Sequence, residues 1–355
     1  MKKQDLEALL VFSDSWRPGN AQYITDYRAF NNTIFDFPRY VPCVLVSLMT
    51  EGEPVLFASR QTLLEAKEKS WVQDVRQFAD LETYLTQLKG HVKSRKIGIE
   101  GREIMPAIMY ESLAKWLSDF ALVPVNTITT LRVTKSKKEL EYMQKAAEIV
   151  EDGMRAAIET MKEGAQEKEI ARAAEIEMLS KGAEGSGFDT LVMSGPHSAF
   201  TICRPTDRRL EKGDLILIDL SAKYKGYCSD LARGIAFGQV SEEKKKILQV
   251  CVAASAKGRQ ILKPGMTTTD LDEAVGAVFE QAGYGKYRIQ GGFHGIGIEF
   301  GEPLGRDVLL QPNMTLVVVS AVPVPGVGGA RIEDDVVVTE KGMRHLTNFE
   351  REIFL

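Results

Sequence analysis

The stretch at 215–230, LILIDLSAKYKGYCSD, carries one aspartate at its fifth residue, Asp219, and another at its last, Asp230. Its first half is apolar and β-branched, the composition of a strand packed on both faces. Aspartate is poorly suited to such a run, because its short side chain competes for backbone hydrogen bonds and a buried carboxylate is costly to desolvate. The KYKG segment at 223–226 is turn chemistry, so 215–222 and 227–235 are expected to form a hairpin. With Tyr224 and Lys225 at the tip, Asp219 faces Asp230 directly, their Cβ atoms about 5 Å apart. Two carboxylates so placed call for a shared proton or a cation between them. A register shifted by one residue, with one aspartate capping the turn, is the competing reading, and the hairpin alone leaves both open.

Two further stretches extend the set. GGFHGIGIEFGEP at 291–303 places His294, one of four histidines, among glycines and small apolar residues. GGARIEDDVVVT at 328–339 places Glu333 in a β-rich run, with Arg331 and Asp335 on its face by strand alternation. Two aspartates, a glutamate and a histidine supply hard oxygen donors and one imidazole, a set suited to Mn²⁺, Zn²⁺, Co²⁺ or Fe²⁺. Arg331 either orients Glu333 or binds a substrate carboxylate, and orientation is the expectation. His197, with Ser198 and Cys203 nearby, is a candidate acid-base or nucleophilic group whose plainer reading is pocket lining.

The bulk of the chain narrows the function classes. At 355 residues it exceeds one typical core and points to two domains, and 44% hydrophobic with 26% charged residues is ordinary globular composition. A net charge of −4 without a basic run argues against nucleic acid as a partner. Cys43, Cys203, Cys228 and Cys251 show no CxxC spacing, which fits reduced thiols. The N-terminal residues reach charge too early for a secretory leader and no apolar run is long enough for a bilayer, so a cytoplasmic protein without membrane contact is expected.

Residues 1–128 alternate strand-like runs at 43–49, 53–59 and 96–101 with helical patterns at 80–95 and 104–120, an α/β domain. At 131–161 Ser136 and Glu139 stand at capping-box spacing before a long amphipathic helix, which opens a second domain at 129–355. That domain holds a faint repeat: 161–183 and 262–284 align without a gap, pairing Gly164 with Gly265, Ile170 with Leu271 and Gly182 with Gly283. A duplicated helix-helix-sheet unit predicts one domain with a pseudo-twofold axis and a cleft between its halves.

Taken in order, NAQYITDY (20–27), LRVTKSKKELEYMQKAAEI (131–149), KGAEGSGFDTLVMSGPHSA (181–199), RPTDRRLEKGDLILIDLSAKYKGYCSDLAR (204–233), HGIGIEFGEP (294–303) and PGVGGARIEDDVVVTEKG (325–342) resemble the creatinase, prolidase and aminopeptidase P family. The resemblance covers nearly the whole chain. It implies an α+β protein: an N-terminal creatinase-like α/β domain, then a C-terminal domain of the pita-bread fold, commonly as a homodimer. It also implies that Asp219 ligates one divalent ion, that Asp230 and Glu333 bridge two, and that His294 binds the other; Glu333 or a group not identified is expected to move protons. Three positions depart from the family pattern. Val319 stands where a further glutamate ligand is expected, and Ile202 and Gly301 where two histidines are expected. The departures leave the site one ligand short, for one ion or two, and without two donors worth about 10²–10³ in rate each. The expected function is a divergent metal-dependent hydrolase of the Xaa-Pro peptidase type, acting on a small amide or dipeptide-like substrate. A metal-independent enzyme cleaving another C–N or carbon-heteroatom bond, and a non-catalytic binding protein of the same fold, are the alternatives.

Overall fold

The computed structural model describes Met1 and residues 4–29, 43–288 and 291–355, which divide into two units, Met1–Arg132 and Val133–Leu355. Among the described residues of the first unit, six strands, β1 (Ala8–Asp14), β2 (Cys43–Met49), β3 (Val55–Ala58), β4 (Asp74–Gln77), β5 (Lys96–Glu100) and β6 (Ala121–Pro124), form a mixed sheet in the order β4-β3-β2-β1-β5-β6. The helices are α1 (Gly19–Thr25), α2 (Leu63–Lys69), α3 (Leu81–Lys89), α4 (Ala107–Trp116) and α5 (Thr127–Arg132). Strand alternation explains why β1 is apolar on both faces from Ala8 to Phe12. Leu10 and Phe12 pack with Leu85 and Leu113 on one face, while Leu9 and Val11 pack with Ala21 and Ala66 on the other. The unit ends after Arg132 rather than at 128, because α5 is tied to β5: the Glu100 carboxylate accepts the backbone N–H of Ile128 (2.9 Å) and of Thr129 (2.7 Å).

The second unit opens with α6 (Lys137–Thr160), where Ser136 and Glu139 form the expected capping box. It continues with α7 (Glu167–Ser180), β7 (Leu191–Ser194), β8 (Asp214–Leu220), β9 (Lys223–Tyr224), β10 (Tyr227–Cys228), β11 (Leu231–Phe237), α8 (Glu242–Ile261), α9 (Thr268–Gln281), β12 (Phe293–Gly295), β13 (Thr315–Val324), β14 (Gly328–Val338), β15 (Met343–His345) and β16 (Ile353–Phe354). The repeat is structural, since α7 and α9 are both 14 residues long and occupy the aligned positions. The aligned glycines that lead into them, Gly164 and Gly265, take left-handed φ of 83° and 86°, which only glycine adopts cheaply. Each half has its own core. Ile170, Ala174 and Met178 pack on Ile216, Ile218 and Leu220, whereas Leu271, Val275 and Phe279 pack on Val318, Ile332 and Val336. The strands run β12-β13-β14-β11-β8-β7, so the halves meet where β14 pairs with β11.

Helices therefore cover one face of this sheet, and alternation sends Asp219, Arg331, Glu333 and Asp335 to the other. Asp334 points back toward the helices. Fully buried, it accepts from Arg233 (2.7 Å), Arg259 (2.9 Å) and Arg351 (2.7 Å), and Arg233 in turn donates to the carbonyl of Glu333 (2.8 Å). Asp334→Ala removes the buried carboxylate that three guanidiniums share and is expected to cost about 3–5 kcal/mol of stability. A urea midpoint within experimental error of wild type would contradict this.

Candidate active site

The hairpin register differs from the sequence expectation. Tyr224 pairs with Tyr227 and Asp219 with Ala232, so the tip is Lys225-Gly226 and not Tyr224-Lys225. Both tip residues have positive φ, 50° and 81°, the signature of the two-residue turn whose twist matches a hairpin. The error is two residues, which preserves side-chain parity. Asp219 and Asp230 thus share a face as diagonal rather than direct neighbours.

Ala232 lies opposite both Asp219 on β8 and Glu333 on β14, and its methyl leaves the two carboxylates room to approach across it. The result is a group of three buried carboxylates, Asp219, Asp230 and Glu333, whose oxygens lie within 4.8 Å of one another. Arg331 donates from Nη1 to Asp219 (2.6 Å) and from Nη2 to the Thr201 carbonyl (2.6 Å), while its Nε stands 3.9 Å from Glu333. Its hydrogen bond holds Asp219, reached diagonally across β11, and Glu333 is its longer ion-pair neighbour. Asp335 accepts the backbone N–H of Asp230 (2.9 Å) and fixes the start of β11.

His294 on β12 stands beside this group, its Nε2 3.4 Å from Asp230. Its Nδ1 lies 3.0 Å from the Gly295 carbonyl, which can only accept, so Nδ1 donates there and Nε2, facing Asp230, is the nitrogen placed to bind a cation. The following turn is held by Glu302, which accepts from Lys135 (2.8 Å) and from the N–H of Ile298 (3.0 Å). Gly297 is required there, since a Cβ would lie 2.5 Å from the Glu302 carboxylate.

The positions that depart from the family pattern are distributed unevenly. Val319 is buried on β13 directly opposite Glu333 and closes that side of the carboxylates with an apolar group. Ile202 is 76% exposed, and a Cβ on Gly301 meets no atom within 4 Å, so both positions are open to a larger polar residue. Ser198 is not a nucleophile: its hydroxyl donates to the Gly195 carbonyl (2.6 Å) and accepts from the N–H of Gly329 (2.9 Å). His197 is held elsewhere, 3.0 Å from the buried carboxylate of Glu167. Glu167 escapes sequence reading because it looks like one more acidic residue in the first turn of a helix.

The donor set fits a divalent cation. One oxygen each of Asp219, Asp230 and Asp335 is buried with no hydrogen-bond partner. Burial, then mutual repulsion, drives Asp230 and Glu333 well above the usual carboxylate range; burial raises Asp219 as well, against the pull of Arg331, and Asp335 strongly. A cation would relieve both costs. Without one, the folded state binds more protons than the unfolded chain, so stability falls as pH rises from the ordinary values of 3.8 and 4.5 through the raised ones. Chelated protein is therefore expected to melt lower at about pH 8 than at about pH 5.5, with added Mn²⁺ removing the difference. Chelated protein that melts higher at the upper pH would refute this.

Comparison with known proteins places this geometry. Residues 141–340 match the model of metallopeptidase family M24, and residues 1–134 match that of the creatinase/prolidase N-terminal domain. The chain is 34% identical over 312 residues to an Xaa-Pro dipeptidase of Pyrococcus horikoshii, covering 86% of this chain and 87% of that one. It is 38% identical over 266 residues to an uncharacterized peptidase of Bacillus subtilis, covering 74% and 75%. The crystal structure of the prolidase from Pyrococcus horikoshii superposes with a TM-score of 0.88 at 31% identity, over 99% of this chain and 96% of that one.

Proposed function

The chain belongs to metallopeptidase family M24 and carries that family's creatinase/prolidase N-terminal domain, and from this we propose that it hydrolyses small amides of the Xaa-Pro dipeptide type with a divalent cation held by Asp219, Asp230, Glu333 and His294. The observation that carries the reading is the convergence of three buried carboxylates with orphaned oxygens on the sheet face away from the helices. A divalent cation bound there supplies Lewis acidity toward the scissile carbonyl and lowers the pKa of water. Asp219 is fixed by Arg331 and Asp230 by its place beside Asp335, so the ligands are held by the sheet before a cation arrives. Glu333, with its proton affinity raised, is the group suited to take a proton from water and return it to the leaving amine. Val319, in place of a further carboxylate, favours a single tightly held ion. Mn²⁺, Zn²⁺, Co²⁺ and Fe²⁺ all suit the donor set.

No helix among the described residues is long and apolar enough to cross a membrane, and the four cysteines are thiols. Both are in keeping with a cytoplasmic enzyme, for which we propose assembly as a homodimer. The test is the metal content of protein prepared without chelator, measured alongside Xaa-Pro dipeptide hydrolysis before and after adding Mn²⁺. We expect about one ion per chain and turnover that chelation abolishes. Turnover unchanged by chelation would replace the proposal with a metal-independent C–N bond cleavage, and absence of both ion and turnover with a binding role.

A further inference from the structure

A second constellation lies on the side of β7 and α7, built from residues other than the carboxylates of the candidate metal site. Glu167, at the start of α7, is fully buried, and its carboxylate accepts the N–H (2.7 Å) and hydroxyl (2.7 Å) of Ser194 and the N–H (2.9 Å) and hydroxyl (2.7 Å) of Thr206. Burial alone would raise its pKa, but these donors and His197 outweigh burial and leave it below the usual range. An ionised carboxylate can only accept, so the His197 Nδ1 facing it at 3.0 Å carries the ring proton. The opposite nitrogen, Nε2, is then an acceptor, and it lies 3.1 Å from Sγ of Cys203.

We infer that Cys203, His197 and Glu167 form a nucleophilic thiol site, in which Glu167 positions the imidazole and His197 takes the thiol proton. This is the order of groups that activates a weak nucleophile: nucleophile, base, and a third group orienting the base. The loop supports access, because Cys203 is partly exposed and its neighbour Ile202 is 76% exposed. An open cavity of about 420 Å³ runs past its flanking residues, lined by Phe188, Thr190, Arg204 and Pro205. The charged groups around the pair are Glu167, the Arg208–Asp214 ion pair reaching Ser194, the Arg204–Asp189 pair next to the thiol, and Arg331 at the Thr201 carbonyl.

The ligand class is a soft carbon electrophile such as an α,β-unsaturated amide. Sγ bonds to the β carbon, the π pair moves to the α carbon, and the proton that His197 Nε2 took from the thiol passes to that carbon. The product is a neutral thioether, with His197 back in its starting form. The other thiols make a quiet background: Cys43, Cys228 and Cys251 are buried, and desolvation pushes Cys43 and Cys251 up to about 12.

The inference does not rest on the metallohydrolase reading, since alkylation reports on the thiol whether or not a cation is bound. The experiment measures acrylamide addition to the full chain as a function of pH, with the adduct located by peptide mass, in wild type, Cys203→Ser, His197→Gln and Glu167→Gln. At about pH 6, where an unassisted thiol is almost wholly protonated, Cys203 should react about tenfold faster than glutathione. His197→Gln should remove that advantage and shift the pH profile to that of an ordinary thiol, with the melting temperature unchanged. Should Glu167→Gln fail to fold, the His197 variant still decides. Reaction at the glutathione rate, or a profile indifferent to His197, overturns the inference.

Discussion

Asp230→Asn is expected to make the metal-free protein more stable and the enzyme nearly inactive. Asp230 lies between Asp219 and Glu333, burial and then the Asp219 charge press hardest on it, and one of its oxygens is buried without a hydrogen-bond partner. An amide of the same shape removes the repulsion at neutral pH, a gain of about 1–2 kcal/mol for chelated protein. The same change takes a ligand from the centre of the group. Several kcal/mol of charge stabilisation at the reacting carbonyl goes with it, so turnover of an Xaa-Pro dipeptide should fall about 10³-fold. Melting with and without chelator, and kcat/KM with Mn²⁺ present, read both effects. Unchanged turnover would show that the cation, if bound, does no chemistry.

The opposite experiment rebuilds what the chain lacks. Ile202→His and Gly301→His enter open positions at little structural cost, since one site is exposed and a Cβ at the other meets nothing. Val319→Glu is different in kind: it adds a carboxylate to a buried face that already holds Asp219, Asp230, Glu333 and Asp335. Alone and chelated, it should lose about 3–5 kcal/mol, and Mn²⁺ should restore more stability to it than to wild type. With all three changes a second ion is held and two oxyanion donors return. At about 10²–10³ per donor, Xaa-Pro hydrolysis should rise about 10⁴-fold or more. A triple variant that takes up the second ion without gaining rate would mean that the wild-type pocket is shaped for another amide.

Much of the architecture was legible in the sequence, and particular residues show why. Ser136 and Glu139 specify the start of α6 because a capping box is local chemistry. The gap-free alignment of 161–183 with 262–284 anticipated α7 and α9, since both the entry glycines and the helix lengths are repeated. The hairpin register was not legible to the residue, as the tip depends on which two of four turn residues adopt positive φ, and Lys225 is not an obvious choice. Parity nevertheless carried Asp219 and Asp230 to the same face. Partners decided by tertiary packing were hidden altogether. Arg331 reaches Asp219 across β11, and Glu167 gathers Ser194, His197 and Thr206 from 27 to 39 positions downstream.

The seam between the halves bears on how the molecule comes apart. Asp219 and Asp230 belong to the first repeat and Glu333 and His294 to the second, and each repeat buries its own core against its own helices. A cation at this point would act as a rivet through that seam, adding its binding energy to the Arg331–Asp219 and Arg233–Asp334 contacts that already join the halves. Amide protons of β11 and β14 should then exchange as one cooperative block in the loaded protein and as two in the chelated one, so that metal supply sets the size of the folding unit.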